Sequence, residues 1–139
     1  MPPHQFCTRV YYEDTDLAGI VYYANYLKFI ERGRTEWVAS LGIDQMALRA
    51  AEGIVFAVRR VEADFLRPAK FGDDLVVETV LQALTGASLV LEQAVFRSGE
   101  RLFAARVVLV CLTAEGRAAR LPAVVRLALK GVVSDGPGP

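Results

Sequence analysis

The chain has 139 residues, 53% of them hydrophobic, and its 16 lysines and arginines are balanced by 16 aspartates and glutamates. That length and apolar content suit one domain with a substantial core, and zero net charge supplies no overall field toward nucleic acid, so a nucleic-acid binder is disfavoured. No segment reaches the about 20 apolar residues of a membrane span, and the stretch from Met1 to Arg9 has no basic cluster followed by an apolar run, so a soluble, unsecreted, cytoplasmic protein is expected.

His4 is the only histidine, and Cys7 and Cys111 are the only cysteines, without the spacing of a metal knuckle or redox pair. A histidine-based zinc cluster is excluded, as is a catalytic histidine dyad drawn from anywhere but the extreme N-terminus. No metal or bound cofactor is expected. Both cysteines read as reduced packing residues in strands, and His4 as part of a disordered end.

Residues 6–12 favour a first strand, which runs into the polar, turn-like stretch Glu13-Asp14-Thr15-Asp16-Leu17-Ala18-Gly19. Asn25 is placed as a helix N-cap. Tyr26, Phe29, Ile30, Gly33, Trp37 and Leu41 then recur at steps of three or four until Gly42 offers a stop, which predicts an amphipathic helix of about 16 residues. Gly33 on its apolar face allows close approach to a sheet. A short helical or irregular stretch, 44–52, precedes four β-rich runs over 55–66, 75–84, 89–96 and 102–113. Arg67-Pro68 with Gly72-Asp73-Asp74, then Thr85 to Ser88, then Ser98-Gly99-Glu100 separate them, the last two as hairpins. Residues 122–133 predict a short closing helix, and 134–139 a frayed tail.

This order, β-α-β-β-β-β, predicts an α+β fold in which a five-stranded antiparallel sheet buries the stripe of one long helix, with 1–139 forming a single domain. An exposed sheet edge on so short a chain favours a homodimer or homotetramer.

The run from Val10 to Tyr26, followed by Phe29, Glu31-Arg32 and Arg34-Thr35-Glu36, closely resembles the 4-hydroxybenzoyl-CoA thioesterase family, nearest to its Tol-Pal-associated acyl-CoA thioesterase branch. The resemblance implies the hotdog fold and hydrolysis of a short-chain or aromatic acyl-CoA. It makes Asp16, the second aspartate of Asp-x-Asp, the catalytic carboxylate, with Asp14 in support. It also implies that the amide of Tyr23, at the helix start, polarises the thioester carbonyl, and that Gly19, Val21 and Asn25 contact substrate. Members of the Tol-Pal branch often carry histidine where this chain has Tyr23, whereas the hydroxybenzoyl type carries tyrosine.

The chemistry suits these residues. Thioester hydrolysis needs an oxyanion stabiliser and either a base or a nucleophile, while the thiolate of coenzyme A leaves with little acid help. At a strand-to-helix junction, orphan amides and the positive helix end face the same small volume. Whether Asp16 attacks the carbonyl or deprotonates water stays open, as does coenzyme A against acyl carrier protein.

Each feature also has a plainer reading. An isolated Asp-x-x-Gly is more often a turn or cap than a catalyst, although the full motif reverses that balance. Tyr22 and Tyr26 read as core or rim aromatics, and Glu31 as an ion-pair partner of Arg34 or Lys28. Arg59, Arg60, Arg67 and Lys70 suit coenzyme A phosphates, or form an ordinary solvated face. At the level of function, the rival is a non-catalytic hotdog module that binds acyl-CoA or an acyl carrier as a regulator or partner of an envelope complex. Hotdog dehydratases are set aside because they rely on a catalytic histidine.

Overall fold

The structure, a computed structural model, describes residues 2–133, and the tail expected over 134–139 lies outside them. Along the chain run β1 (His4–Arg9), α1 (Asn25–Ser40), α2 (Gln45–Glu52), β2 (Val55–Phe65), β3 (Asp74–Leu84), β4 (Ser88–Arg97), β5 (Glu100–Leu112), β6 (Ala118–Ala119) and α3 (Ala123–Leu129). All pairings are antiparallel, in the order β1-β3-β4-β5-β2, with β6 on the end of β5. The fold is the expected α+β arrangement of one long helix against one antiparallel sheet. The sixth strand is an addition: after a turn at Gly116, Ala118 and Ala119 pair with Leu112 and Cys111. Two alanines offer no alternation by which a strand could be recognised.

Helix α1 spans 16 residues and buries Tyr26, Phe29, Ile30, Gly33, Trp37 and Val38 against β1, β3 and β4. The stripe is therefore the predicted one, except that Leu41 caps the helix half-buried. Gly33 is required by distance, since a Cβ there would lie 2.5 Å from Val77 Cγ1. Beneath the helix, two polar side chains interrupt the apolar sheet. The buried Gln93 donates through Nε2 to the Ile30 carbonyl at 2.8 Å and to Thr79 Oγ1 at 2.9 Å, so its burial leaves that nitrogen satisfied.

Three expectations need correction here. β1 ends at Arg9 rather than Tyr12, because Val10 exchanges main-chain hydrogen bonds with residues 72–73 and residues 12–14 close into a 3₁₀ turn. His4 is not a disordered end: it opens β1 opposite Thr79 and is half-buried. Cys7 is exposed on the outward face of β1, whose burial alternates along its length, and only Cys111 packs in the core, where burial pushes its thiol up to about 11.

Candidate active site

The predicted site residues sit between β1 and α1, in a segment that folds on its own hydrogen bonds. Asp14 is buried, and its carboxylate accepts the Tyr11 amide at 2.8 Å. Its carbonyl accepts both the Tyr22 amide and Asn25 Nδ2, each at 2.9 Å. Asp14 is thus the internal brace of the segment. Thr15 bridges Val21, and between them residues 16–19 make a tight turn in which the Gly19 amide donates to the Asp16 carbonyl at 2.9 Å. Gly19 has φ +80°, a left-handed conformation that glycine adopts without steric cost.

This turn pushes Asp16 outward. Its carboxylate is exposed, and Oδ1 accepts the Ala18 amide at 2.9 Å. Among the described residues Oδ2 accepts no protein hydrogen bond and no cation pairs with Asp16, so one oxygen is free for chemistry.

Six residues after Gly19, the chain enters α1. Its first-turn amides are consumed locally: Asn25 N donates to Tyr22 O at 2.8 Å, Tyr26 N to Tyr23 O at 3.4 Å and Leu27 N to Ala24 O at 3.2 Å. Among the described residues the amides of Tyr23 and Ala24 have no acceptor. These are the orphan donors that a helix start leaves over, where the helix dipole is positive. Asn25 does not serve as the N-cap. Ala24 holds that place with no side-chain bond, and the Asn25 amide side chain instead turns back to Asp14.

Asp16 and Tyr23 line two separate hollows within one chain. The first, of about 620 Å³, is bounded by Tyr12, Thr15, Asp16, Leu17, Gly19 and Phe71. The second, of about 270 Å³, is bounded by Ile20, Val21, Tyr23, Tyr26, Phe65, Leu66, Arg67 and Pro68. Gly19 and Val21 therefore fall on the two sides of the divide, and Asn25 lines neither. The second hollow is floored by aromatic rings, with Tyr26 stacked on Phe103 at 5.0 Å and Phe65 edge-on to both Tyr23 and Tyr26. Around the two hollows Leu17, Tyr12, Phe71, Tyr23, Phe65 and Leu66 are all at least half exposed.

Among the remaining candidates, Glu31 makes no ion pair among the described residues. It accepts Thr35 Oγ1 at 3.2 Å, while Arg34 turns inward toward Gln93 Oε1 at 3.4 Å, where burial lowers its pKa. The expected pairing with Arg34 is absent because Arg34 is drawn under the helix, and none with Lys28 forms among the described residues. Of the four basic residues, Arg67 borders the Tyr23 hollow and pairs with Glu100 at 3.1 Å, Arg60 pairs with Glu62 at 3.1 Å, and Arg59 lies where β2 shifts register against β5. Sequence reading missed Phe65, Leu66 and Phe71 as wall residues. It also read residues 67–74 as a turn carrying two candidate phosphate contacts and not as a support for this segment, although Val21 N donates to Ala69 O at 2.9 Å and Ala69 N donates to Tyr26 Oη at 2.9 Å.

Comparison with known proteins places the chain in a family. The profile of the Thioesterase superfamily matches residues 18–104, beginning just after Asp16. The chain is 40% identical over 107 residues to the acyl-CoA thioesterase YbgC of Haemophilus influenzae, covering 77% of this chain and 79% of that protein. A crystal structure of a probable thioesterase from Bartonella henselae superposes with a TM-score of 0.84 at 38% identity, covering 87% of this chain and all of that one. A mutant 4-hydroxybenzoyl-CoA thioesterase complexed with 4-hydroxybenzoyl-CoA shares the fold at a TM-score of 0.85 and 24% identity, over 91% of this chain and 97% of that one. These likenesses agree with the family resemblance carried by the segment from Val10 to Glu36. No helix among the described residues is long and apolar enough to cross a membrane. The chain belongs to the thioesterase superfamily, and it is an acyl-CoA thioester hydrolase.

Proposed function

We propose that this thioesterase cleaves a short-chain or aromatic acyl-CoA with Asp16 as its reactive carboxylate and the Tyr23 amide, joined by that of Ala24, as the oxyanion donor. The observation that carries the reading is the pair of unbonded amides at the start of α1, a few residues beyond a turn that leaves Asp16 Oδ2 free. The acyl group lies against Tyr23, Tyr26 and Phe65, and its thioester oxygen accepts from the amides as the carbonyl carbon becomes tetrahedral.

Two routes use these residues. In one, Asp16 takes a proton from water, the hydroxide adds to the carbonyl, and the C–S bond breaks to release the coenzyme A thiolate. In the other, Asp16 adds directly, expels the same thiolate, and the resulting anhydride is hydrolysed by water.

Because a single chain keeps Asp16 and Tyr23 in separate hollows rimmed by exposed apolar side chains, the working site is completed in a homodimer or a tetramer of dimers. The reading further takes residues 1–139 as one domain that works in the cytoplasm. Release of free thiol from a panel of acyl-CoA thioesters tests the substrate class. Turnover concentrated on short-chain or aromatic members is expected, and tight binding across the panel without thiol release would overturn it.

A further inference from the structure

Residues 68–73 carry both ends of the Asp16 segment. Val10, where that segment begins, donates its amide to Asp73 O at 2.9 Å and accepts the Gly72 amide at 2.9 Å. At its far end Ile20 bridges Lys70, and Val21 N donates to Ala69 O at 2.9 Å. The first turn of α1 hangs on the same platform, since Tyr26 Oη accepts the Ala69 amide at 2.9 Å inside the core. The geometry of Asp16 relative to the free amides at Tyr23 and Ala24 therefore depends on where residues 68–73 sit.

The platform is clamped by one side chain from outside it. Arg97 Nη1 donates to the Pro68 carbonyl at 3.1 Å and to Asp73 Oδ2 at 2.8 Å, catching the two ends of the platform together. Its Nη2 donates to Glu100 at 2.8 Å. Asp73 Oδ2 also accepts the Lys70 amide at 2.8 Å, which folds the platform on itself. Arg97 closes β4 directly before the Ser98–Gly99 turn, where both residues hold left-handed φ values of 49° and 81°, so the guanidinium is mounted on a paired strand rather than a free loop. The Arg97 and Asp73 side chains are only 26% and 23% exposed, so solvent screens this pair less than the other ion pairs.

We infer that Arg97 and Asp73 are positioning residues for thioester hydrolysis, setting the Asp16 turn against the start of α1 through the 68–73 platform without touching substrate. The inference rests on Asp16 being the reactive carboxylate. Burial alone would raise the Asp73 carboxyl, but the hydrogen bonds from Arg97 and the Lys70 amide and the charges of Arg97 and Lys70 outweigh it and hold the group below its ordinary value. The carboxylate therefore stays ionised and clamped across the neutral range.

Steady-state kinetics and melting temperatures of Arg97→Met, Asp73→Asn, their double variant, Glu100→Gln and Asp16→Asn test it on one substrate. A displacement of about 1 Å at a reacting group costs up to about a hundredfold in rate, so Arg97→Met and Asp73→Asn should each lower kcat at least about tenfold while KM changes far less. The double variant should be no slower than the slower single one, because both changes release the same clamp. Glu100→Gln, which leaves the bonds to Pro68 and Asp73 in place, should keep the wild-type kcat. If Arg97→Met fails to fold, Asp73→Asn decides alone. Folded clamp variants with wild-type kcat, or losses that multiply in the double variant, overturn the inference. If they do so while Asp16→Asn is inactive, the clamp fails and the Asp16 reading stands. An active Asp16→Asn enzyme overturns both.

Discussion

Tyr23 is 61% exposed and its ring packs on those of Tyr22 and Phe65, whereas its main-chain amide has no acceptor among the described residues. If the amide is the working group, Tyr23→Phe keeps most of kcat, and a variant that folds normally but loses turnover would assign the chemistry to the hydroxyl. The same contrast marks the limit of sequence reading at this scale. The family motif singles out Asp16 and Tyr23 by residue identity and spacing. It could not separate Asp14, buried as a brace, from Asp16 by partners, nor reveal that Asn25 turns its side chain toward the Asp14 carbonyl rather than capping α1. Those outcomes depend on how the chain closes between residues 10 and 25. Cys7 illustrates the point further, since its apolar neighbours suggested packing, yet strand alternation turns it outward.

Elements with a strong period were legible and short ones were not. The 3–4 spacing of Tyr26, Phe29, Ile30, Gly33 and Trp37 located α1 and its buried face, and turn residues located the boundaries of β2 to β5 to within about two residues. The 3₁₀ turn at Tyr12–Asp14 and the two-residue β6 have no period, and they arise from tertiary pairing. Gly33 gives the most direct check on how α1 meets the sheet. An added Cβ meets Val77 Cγ1 at 2.5 Å, and Val77 is fully buried and β-branched, so it yields poorly. Overpacking of this kind costs about 1–3 kcal/mol, against a gain of about 1 kcal/mol from alanine's helix propensity. The net cost is about 1 kcal/mol at the middle of that range, so Gly33→Ala should lower the melting temperature by about 3–6 °C, and a raised melting point would mean that the helix can lift from the sheet at no cost.

For the whole molecule, the sheet ends in two edges, β1 and β2, and β2 leaves Val55, Val58, Val61 and Phe65 partly open to solvent. An apolar edge strand invites pairing with another copy, and with Asp16 and Tyr23 in two hollows the proposed site would need such pairing to be completed. Light scattering is expected to report a dimer or a tetramer, and a monomer at micromolar concentration would contradict a site completed between copies. The central claim concerns Asp16 itself, and it is tested by kcat of Asp16→Asn on the best acyl-CoA substrate, with acyl-CoA binding and the melting temperature measured alongside. Removal of a base or nucleophile costs at least about a hundredfold in rate, whereas loss of a turn or cap aspartate costs about 1 kcal/mol of stability and spares the folded fraction. The account predicts a loss of that size in kcat with binding and fold retained, and the exposed Asp16 carboxylate, bonded among the described residues only to the Ala18 amide, makes a large fall in melting temperature unexpected. Equal kcat for wild type and Asp16→Asn would contradict it.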